Sequence, residues 1–120
     1  MIKRFDRLDV ATSDLGDAAS IYETNFGFKV TRTGQQASVT IGGAEIRLAS
    51  GASVTEVIKA NGEGMFGVWL EADDVDQVIA SLKKAGIAAG ATKNDAGRRV
   101  LTIDPKIANQ VPLFIFDRRG

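Results

Sequence analysis

The sequence predicts an α+β domain made of two tandem β-α-β-β-β modules, and three observations carry that reading. Two alternating, half-buried strand patterns, Arg7 to Thr12 and Gly67 to Ala72, each lead into a helix-start aspartate and an apolar stripe at helical spacing. Each stripe stops at a glycine, Gly27 or Gly86, and three short β-type runs follow it. Laying Asp14-Leu15 on Asp74-Val75 aligns Arg7 with Gly67 and, after one deletion, Gly27 with Gly86. One unit is written twice, with module one over about 1–50, a glycine-bearing connection over 51–64 and module two over about 65–120, all within a single domain.

In module one Ser13 or Asp14 caps the helix, and Leu15, Ala18, Ala19, Tyr22 and Phe26 form its core stripe. Strands are expected at Phe28 to Thr33, Ala37 to Ile41 and Ala44 to Ser50, separated by Gly34 and the Gly42-Gly43 turn. A short helix is expected near Val54 to Ala60 in the connection. In module two Asp73 or Asp74 caps the helix, whose stripe is Val75, Val78, Ile79 and Leu82. Ile87 to Thr92, Arg98 to Ile103 and Pro112 to Asp117 complete the set, with a hairpin turn at 94–97. None of the turn glycines opens a helix after a strand, so none forms a phosphate loop.

A chain of 120 residues can bury a core large enough to fold without a disulfide or a structural metal. It has no cysteine, which removes thiolate nucleophiles, iron-sulfur ligation and cysteine-zinc sites. It also has no histidine, the commonest metal ligand and the commonest general base near neutral pH. Fifteen basic residues balance fifteen acidic ones, so the overall field favours neither nucleic acid nor an anionic membrane surface. No apolar stretch is long enough to span a bilayer, and the charged start lacks a signal-peptide pattern. The expected location is the cytoplasm, and the expected partner is a small organic molecule.

Three segments carry a resemblance: Tyr22 to Phe28 (Tyr-Glu-Thr-Asn-Phe-Gly-Phe), Asp73 to Asp76 (Asp-Asp-Val-Asp) and Leu82 to Ile87 (Leu-Lys-Lys-Ala-Gly-Ile). With the paired modules, they resemble the vicinal oxygen chelate superfamily of glyoxalase I, bleomycin resistance proteins and extradiol dioxygenases. The resemblance implies half-barrel sheets with helices outside, a concave ligand cleft and pairing of two copies as a homodimer. It also implies metal ligands on the first and last strand of each module. Those positions fall at Arg7, Gly67, about Arg47 and about Phe114, where a guanidinium, a hydrogen and a phenyl ring offer no lone pair to a divalent ion. No metal and no other cofactor is therefore expected, although an oxygen-rich site for magnesium or manganese from Asp9, Glu45 and Glu71 is an alternative.

Alternation assigns the faces of the strands. Leu8, Val10, Ile46, Leu48, Val68, Leu70, Leu113 and Ile115 belong under the helices, and the opposite parity faces the cleft. That parity supplies the candidate ligand-binding residues Arg7, Asp9, Glu45, Arg47, Trp69, Glu71, Phe114 and Phe116. The four charges in module one either pair across neighbouring strands or grip a ligand oxyanion through an arginine. The aromatic residues either fill space or make a stacking wall. Glu71, paired with Asp9, is the weak candidate for general acid-base work, on the argument that burial in a cleft raises a carboxylate toward neutrality. Arg98 and Arg99 should point to opposite faces, one at the cleft rim and one in solvent.

These residues together favour metal-independent sequestration of an aromatic or anionic ligand, oriented by Arg7 or Arg47 and stacked on Trp69 and Phe114. One alternative is a metal-independent isomerase or lyase with arginine stabilising an oxyanion. Another is an interaction or dimerisation module whose cleft is filled by its own side chains.

Overall fold

The computed structural model describes residues 2–87, 92–95, 97–104, 106, 108 and 111–118. It divides into two units: Arg7–Phe66, here module one, and Gly67–Gly120 joined by Met1–Asp6, here module two. The first few residues of the opening strand thus belong with the second module, and the segment read as a connection belongs with the first.

In module one, β1 (Ile2–Ala11, from Arg7 onward) leads into α1 (Leu15–Phe26), followed by β2 (Thr31–Thr33), β3 (Gln36–Ile41) and β4 (Ala44–Ala49). The strand order is β2-β3-β4-β1, with β1 and β4 parallel and the other neighbours antiparallel. Asp14 caps α1 by accepting from the Asp17 backbone N–H at 3.0 Å. Gly27, at φ 69°, ends it, with its N–H on Glu23 and that of Phe28 on Tyr22. That return bond turns Phe28 back onto Tyr22 and Phe26, ring centroids 6.4 and 5.7 Å away, so β2 starts at Thr31 rather than at Phe28. Phe26, expected in the core, is 62% exposed because it is the last helical residue and lies past the buried stripe.

Beneath α1, Ala19, Ala37 and Leu48 are buried together with Leu15, Tyr22, Val10 and Ile46 packed around them. The other face of β1 and β4 meets the connection: a short 3-10 turn (Ala52–Val54) and α2 (Thr55–Asn61) put Val54, Val57 and Ile58 against Ala11 and Ala49. Alanine at both strand positions lets the helix approach. Glu63 accepts from the Ser13 backbone N–H at 2.8 Å and from the Thr12 hydroxyl at 3.1 Å. It thereby clamps the turn between β1 and α1.

Module two repeats the plan with β5 (Gly64–Ala72), α3 (Val75–Lys84), β6 (Lys93–Asp95), β7 (Arg98–Thr102) and β8 (Leu113–Asp117), ordered β5-β8-β7-β6. The first and last strands are again parallel neighbours. Val75 and Val78 of α3 pack on Leu101, Ile103, Ile115 and Leu70. The strand expected over Ile87 to Thr92 lies largely outside the described residues, and β6 instead runs through Asn94 and Asp95. Asp95 pairs with Arg98 because Gly97, at φ 81°, allows a turn tighter than the expected one.

A charged knot secures the start of α3. The fully buried Asp117 carboxylate accepts from the Val75 backbone N–H at 2.7 Å and from Arg99 Nη2 at 2.6 Å. Arg99 also donates to Asp74, the helix cap, and to Asp76. One of Arg98 and Arg99 is expected in solvent, but these carboxylates hold Arg99, and they raise its already high pKa. Removing one partner of a buried pair leaves the other desolvated and uncompensated. Asp117→Ala should therefore cost about 3 kcal/mol and lower Tm by about 10 °C, which thermal unfolding followed by circular dichroism will check.

Candidate functional site

The eight candidate residues fall into two groups of four, one on the face of each module opposite α1 or α3. In module one, Arg7 stands opposite Glu45 and Asp9 opposite Arg47 in the parallel register of β1 and β4. Charges of opposite sign thus alternate both along and across the strands. The shortest pairings run along each strand rather than between neighbours: Arg7 Nε lies 2.8 Å from Asp9 Oδ1, and Arg47 Nε donates to Glu45 Oε2 at 2.8 Å. Arg47 Nη2 adds a second bond to Glu45 Oε1 at 3.2 Å, a bidentate fork. Arg7 and Asp9 are buried, whereas the Arg47 and Glu45 side chains keep about a third of their surface in solvent.

Beside this quartet the face opens into a recess of about 330 Å³ lined by Thr31, Thr33, Gln36, Ser38, Glu45 and Arg47, with Ala37 contributing at its floor. The register explains the grouping, since Thr31 pairs with Ser38 and Ser38 with Arg47, so one row of polar side chains crosses three strands. Charge alternation alone pointed to Glu45 and Arg47. The hydroxyls of β2 and β3 went unread as site residues, although the same period-two rule, applied to those short strands, would have found them.

In module two, Trp69 and Phe114 face each other across parallel strands and stack at 4.6 Å with 14° between their planes. Phe116 is fully buried beside them, 6.2 Å from Trp69 and tilted by 60°. Arg98 lies on this same face, its guanidinium carbon 5.5 Å from the Trp69 ring and 5.1 Å from the Phe116 ring. The rings therefore pack on one another under an arginine.

Glu71, also buried, is ringed by cations: Arg4 Nε donates to Oε1 at 2.9 Å, and Arg118 Nε and Lys3 Nζ lie 3.3 and 3.9 Å from Oε2. Burial, the largest single influence, pushes its pKa up, but the Arg4 hydrogen bond and the charges of Arg118, Lys3 and Arg4 together bring it below the ordinary 4.5. The expectation that burial raises Glu71 toward neutrality is thus reversed. It is an ionised carboxylate at neutral pH, with no proton to give as a general acid.

The positions that the family resemblance assigns to a metal carry side chains that do not fit one. Arg7 and Arg47 are protonated donors already bonded to carboxylates, Gly67 has no side chain, and Phe114 is in a ring stack. As for the oxygen-rich alternative, among the described residues no group of three acidic side chains is placed to hold a metal ion, and Asp9, Glu45 and Glu71 are each engaged by an arginine.

Comparison with known proteins agrees with this architecture. A family model described as Glyoxalase/Bleomycin resistance protein/Dioxygenase superfamily matches residues 4–109. No curated protein matches the sequence. Among solved structures, a complex of a variant Streptomyces coelicolor methylmalonyl-CoA epimerase with 2-nitronate-propionyl-CoA is similar at TM-score 0.73 and 21% identity, covering 98% of this chain and 95% of that one. A methylmalonyl-CoA epimerase from Mycobacterium tuberculosis is similar at TM-score 0.74 and 18% identity over 99% and 90% of the two chains. A hypothetical protein from Bacillus halodurans C-125 is similar at TM-score 0.76 and 19% identity over 98% and 95%. At these identities the likeness is one of fold. Among the described residues no helix is long and apolar enough to cross a membrane.

The Glu71 environment has a measurable consequence. Its folded-state pKa lies below 4.5, so the unfolded chain binds more protons in that interval. The stability Glu71 contributes is present above about pH 4.5 and is lost as the pH falls through the folded value. Glu71→Gln should lower Tm at pH 7 and flatten its decline below pH 4.5. Parallel Tm curves for the two proteins between pH 3 and 7 would count against this account.

Proposed function

We propose that this chain, which belongs to the Glyoxalase/Bleomycin resistance protein/Dioxygenase superfamily, binds a small organic molecule without a metal, at the recess beside Arg47 and Glu45. The observation that carries the reading is that recess: a concave, hydrogen-bonding surface next to a bidentate ion pair that is partly shielded from water. Arg47, held in one geometry by its two bonds to Glu45, would orient the ligand as a fixed charge beside it. Trp69 and Phe114 are read as self-packed, so ligand stacking there would require Arg98 to leave the Trp69 ring.

Binding is favoured over turnover by the state of Glu71. A general base works best with a pKa near the operating pH, and Glu71 is held the other way by three cations. The likeness to methylmalonyl-CoA epimerases is the one observation that favours an enzyme, and a direct assay for epimerase activity should find none.

A thermal-shift screen of small organic molecules should yield at least one that raises Tm saturably, by mass action on the folded state. Arg47→Ala should weaken that molecule's binding by about tenfold or more, as loss of a charge-assisted hydrogen bond predicts. Prior dialysis against EDTA should leave the affinity unchanged. An affinity indifferent to Arg47→Ala, or abolished by chelation and restored by a divalent ion, would overturn the reading.

A further inference from the structure

The character of the recess narrows what can occupy it. Its six polar side chains include three hydroxyls, from Thr31, Thr33 and Ser38, and one amide, from Gln36. Among the described residues, no aromatic or large aliphatic side chain lines it. Its two charges, Glu45 and Arg47, cancel, and the neighbouring Arg7 and Asp9 cancel as well. A flat hydrophobic molecule would find nothing to stack on and would strip water from hydroxyls it cannot replace.

An anion would either compete with a carboxylate that already accepts two bonds from Arg47, at 2.8 and 3.2 Å, or take other N–H groups of the guanidinium and lie against the Glu45 charge. Displacing Glu45 would also leave two negative charges side by side. A neutral molecule rich in hydroxyls meets neither obstacle. A carboxylate has about four lone-pair sites, so Glu45 can accept hydroxyl hydrogens while still holding Arg47. The Thr31, Ser38 and Arg47 row presents polar groups at the inter-strand spacing of about 4.8 Å, which suits hydroxyls spread across a ring or along a chain. Each serine or threonine hydroxyl both donates and accepts, matching a ligand hydroxyl in either sense.

We infer that the recess of module one takes a neutral, hydroxyl-rich small molecule, a polyol or sugar, with Glu45 as its principal acceptor and Thr31, Ser38 and Gln36 as its flanking contacts. This rests on the reading that module one binds a small molecule beside Arg47, and it replaces the aromatic or anionic ligand expected from the sequence.

The test is titration of the full chain with four neutral probes, glucose, galactose, myo-inositol and xylitol, against the anions gluconate and benzoate, by isothermal calorimetry and amide chemical shifts. At least one neutral probe should bind saturably, shifting the amides of Ser38 and Arg47. Glu45→Gln and Ser38→Ala, each checked for folding by circular dichroism, should weaken that binding by about tenfold. The inference is overturned if none of the neutral probes binds saturably. It is equally overturned if a neutral probe binds with affinity indifferent to both substitutions, or if gluconate or benzoate binds through the same amides more tightly than every neutral probe. Binding of an anion there would leave the recess standing as a ligand site, whereas a screen in which no molecule binds at Arg47 removes both readings.

Discussion

Everything functional in this protein depends on the strict alternation of side chains along its hydrogen-bonded strands. In each module the parallel pairing of first and last strands puts two rows of residues opposite one another in fixed register. One row is apolar and lies under a helix: Val10, Ile46 and Leu48 with α1, and Leu70, Ile115 and Leu101 with α3. The other row is released from core duty. A slip of one residue would turn Arg7 and Arg47 toward α1 and take Val10 and Leu48 away from it, so hydrophobic burial on one face enforces the placement of charge on the other.

Charge on these faces is compensated locally. Arg7 with Asp9, Arg47 with Glu45, Arg99 with Asp117, and Arg4 with Glu71 each bring a guanidinium to a carboxylate within hydrogen-bond distance. Partly dehydrated carboxylates need such partners, because an unpaired buried charge costs several kcal/mol. The same compensation decides what chemistry is open to the fold. A carboxylate committed to arginine is a poor metal ligand, since its lone pairs are already taken up by N–H donors.

The architecture was legible because its signals are local and redundant. Asp14 and Asp74 cap where their position before an apolar stripe says they must, and Gly27 supplies the left-handed stop. The separation of Arg98 and Arg99 onto opposite faces followed from the alternation of side chains along a strand. What escaped was set by contacts between residues far apart in sequence. Nothing near Asp117 announces that it will bond the first N–H of α3, and nothing near Arg4 announces that it will bring Glu71 below its ordinary pKa. The site was half legible: Arg47 and Glu45 stood out by charge, whereas Thr31, Ser38 and Gln36 join them only once β2 and β3 are paired in register with β4.

Side-chain volume explains why one topology, used twice, yields two different surfaces. In module two, Trp69, Phe114 and Phe116 occupy the released row, and rings of that size satisfy one another by stacking, with Arg98 laid across them. In module one the equivalent face pairs short Thr31, Thr33 and Ser38 with long Gln36, Glu45 and Arg47, and short side chains beside long ones leave a hollow. Dispersion rewards closing a gap only where apolar atoms can reach across it, and hydroxyls on a sheet surface gain as much from water. The recess therefore persists through the polarity of its lining.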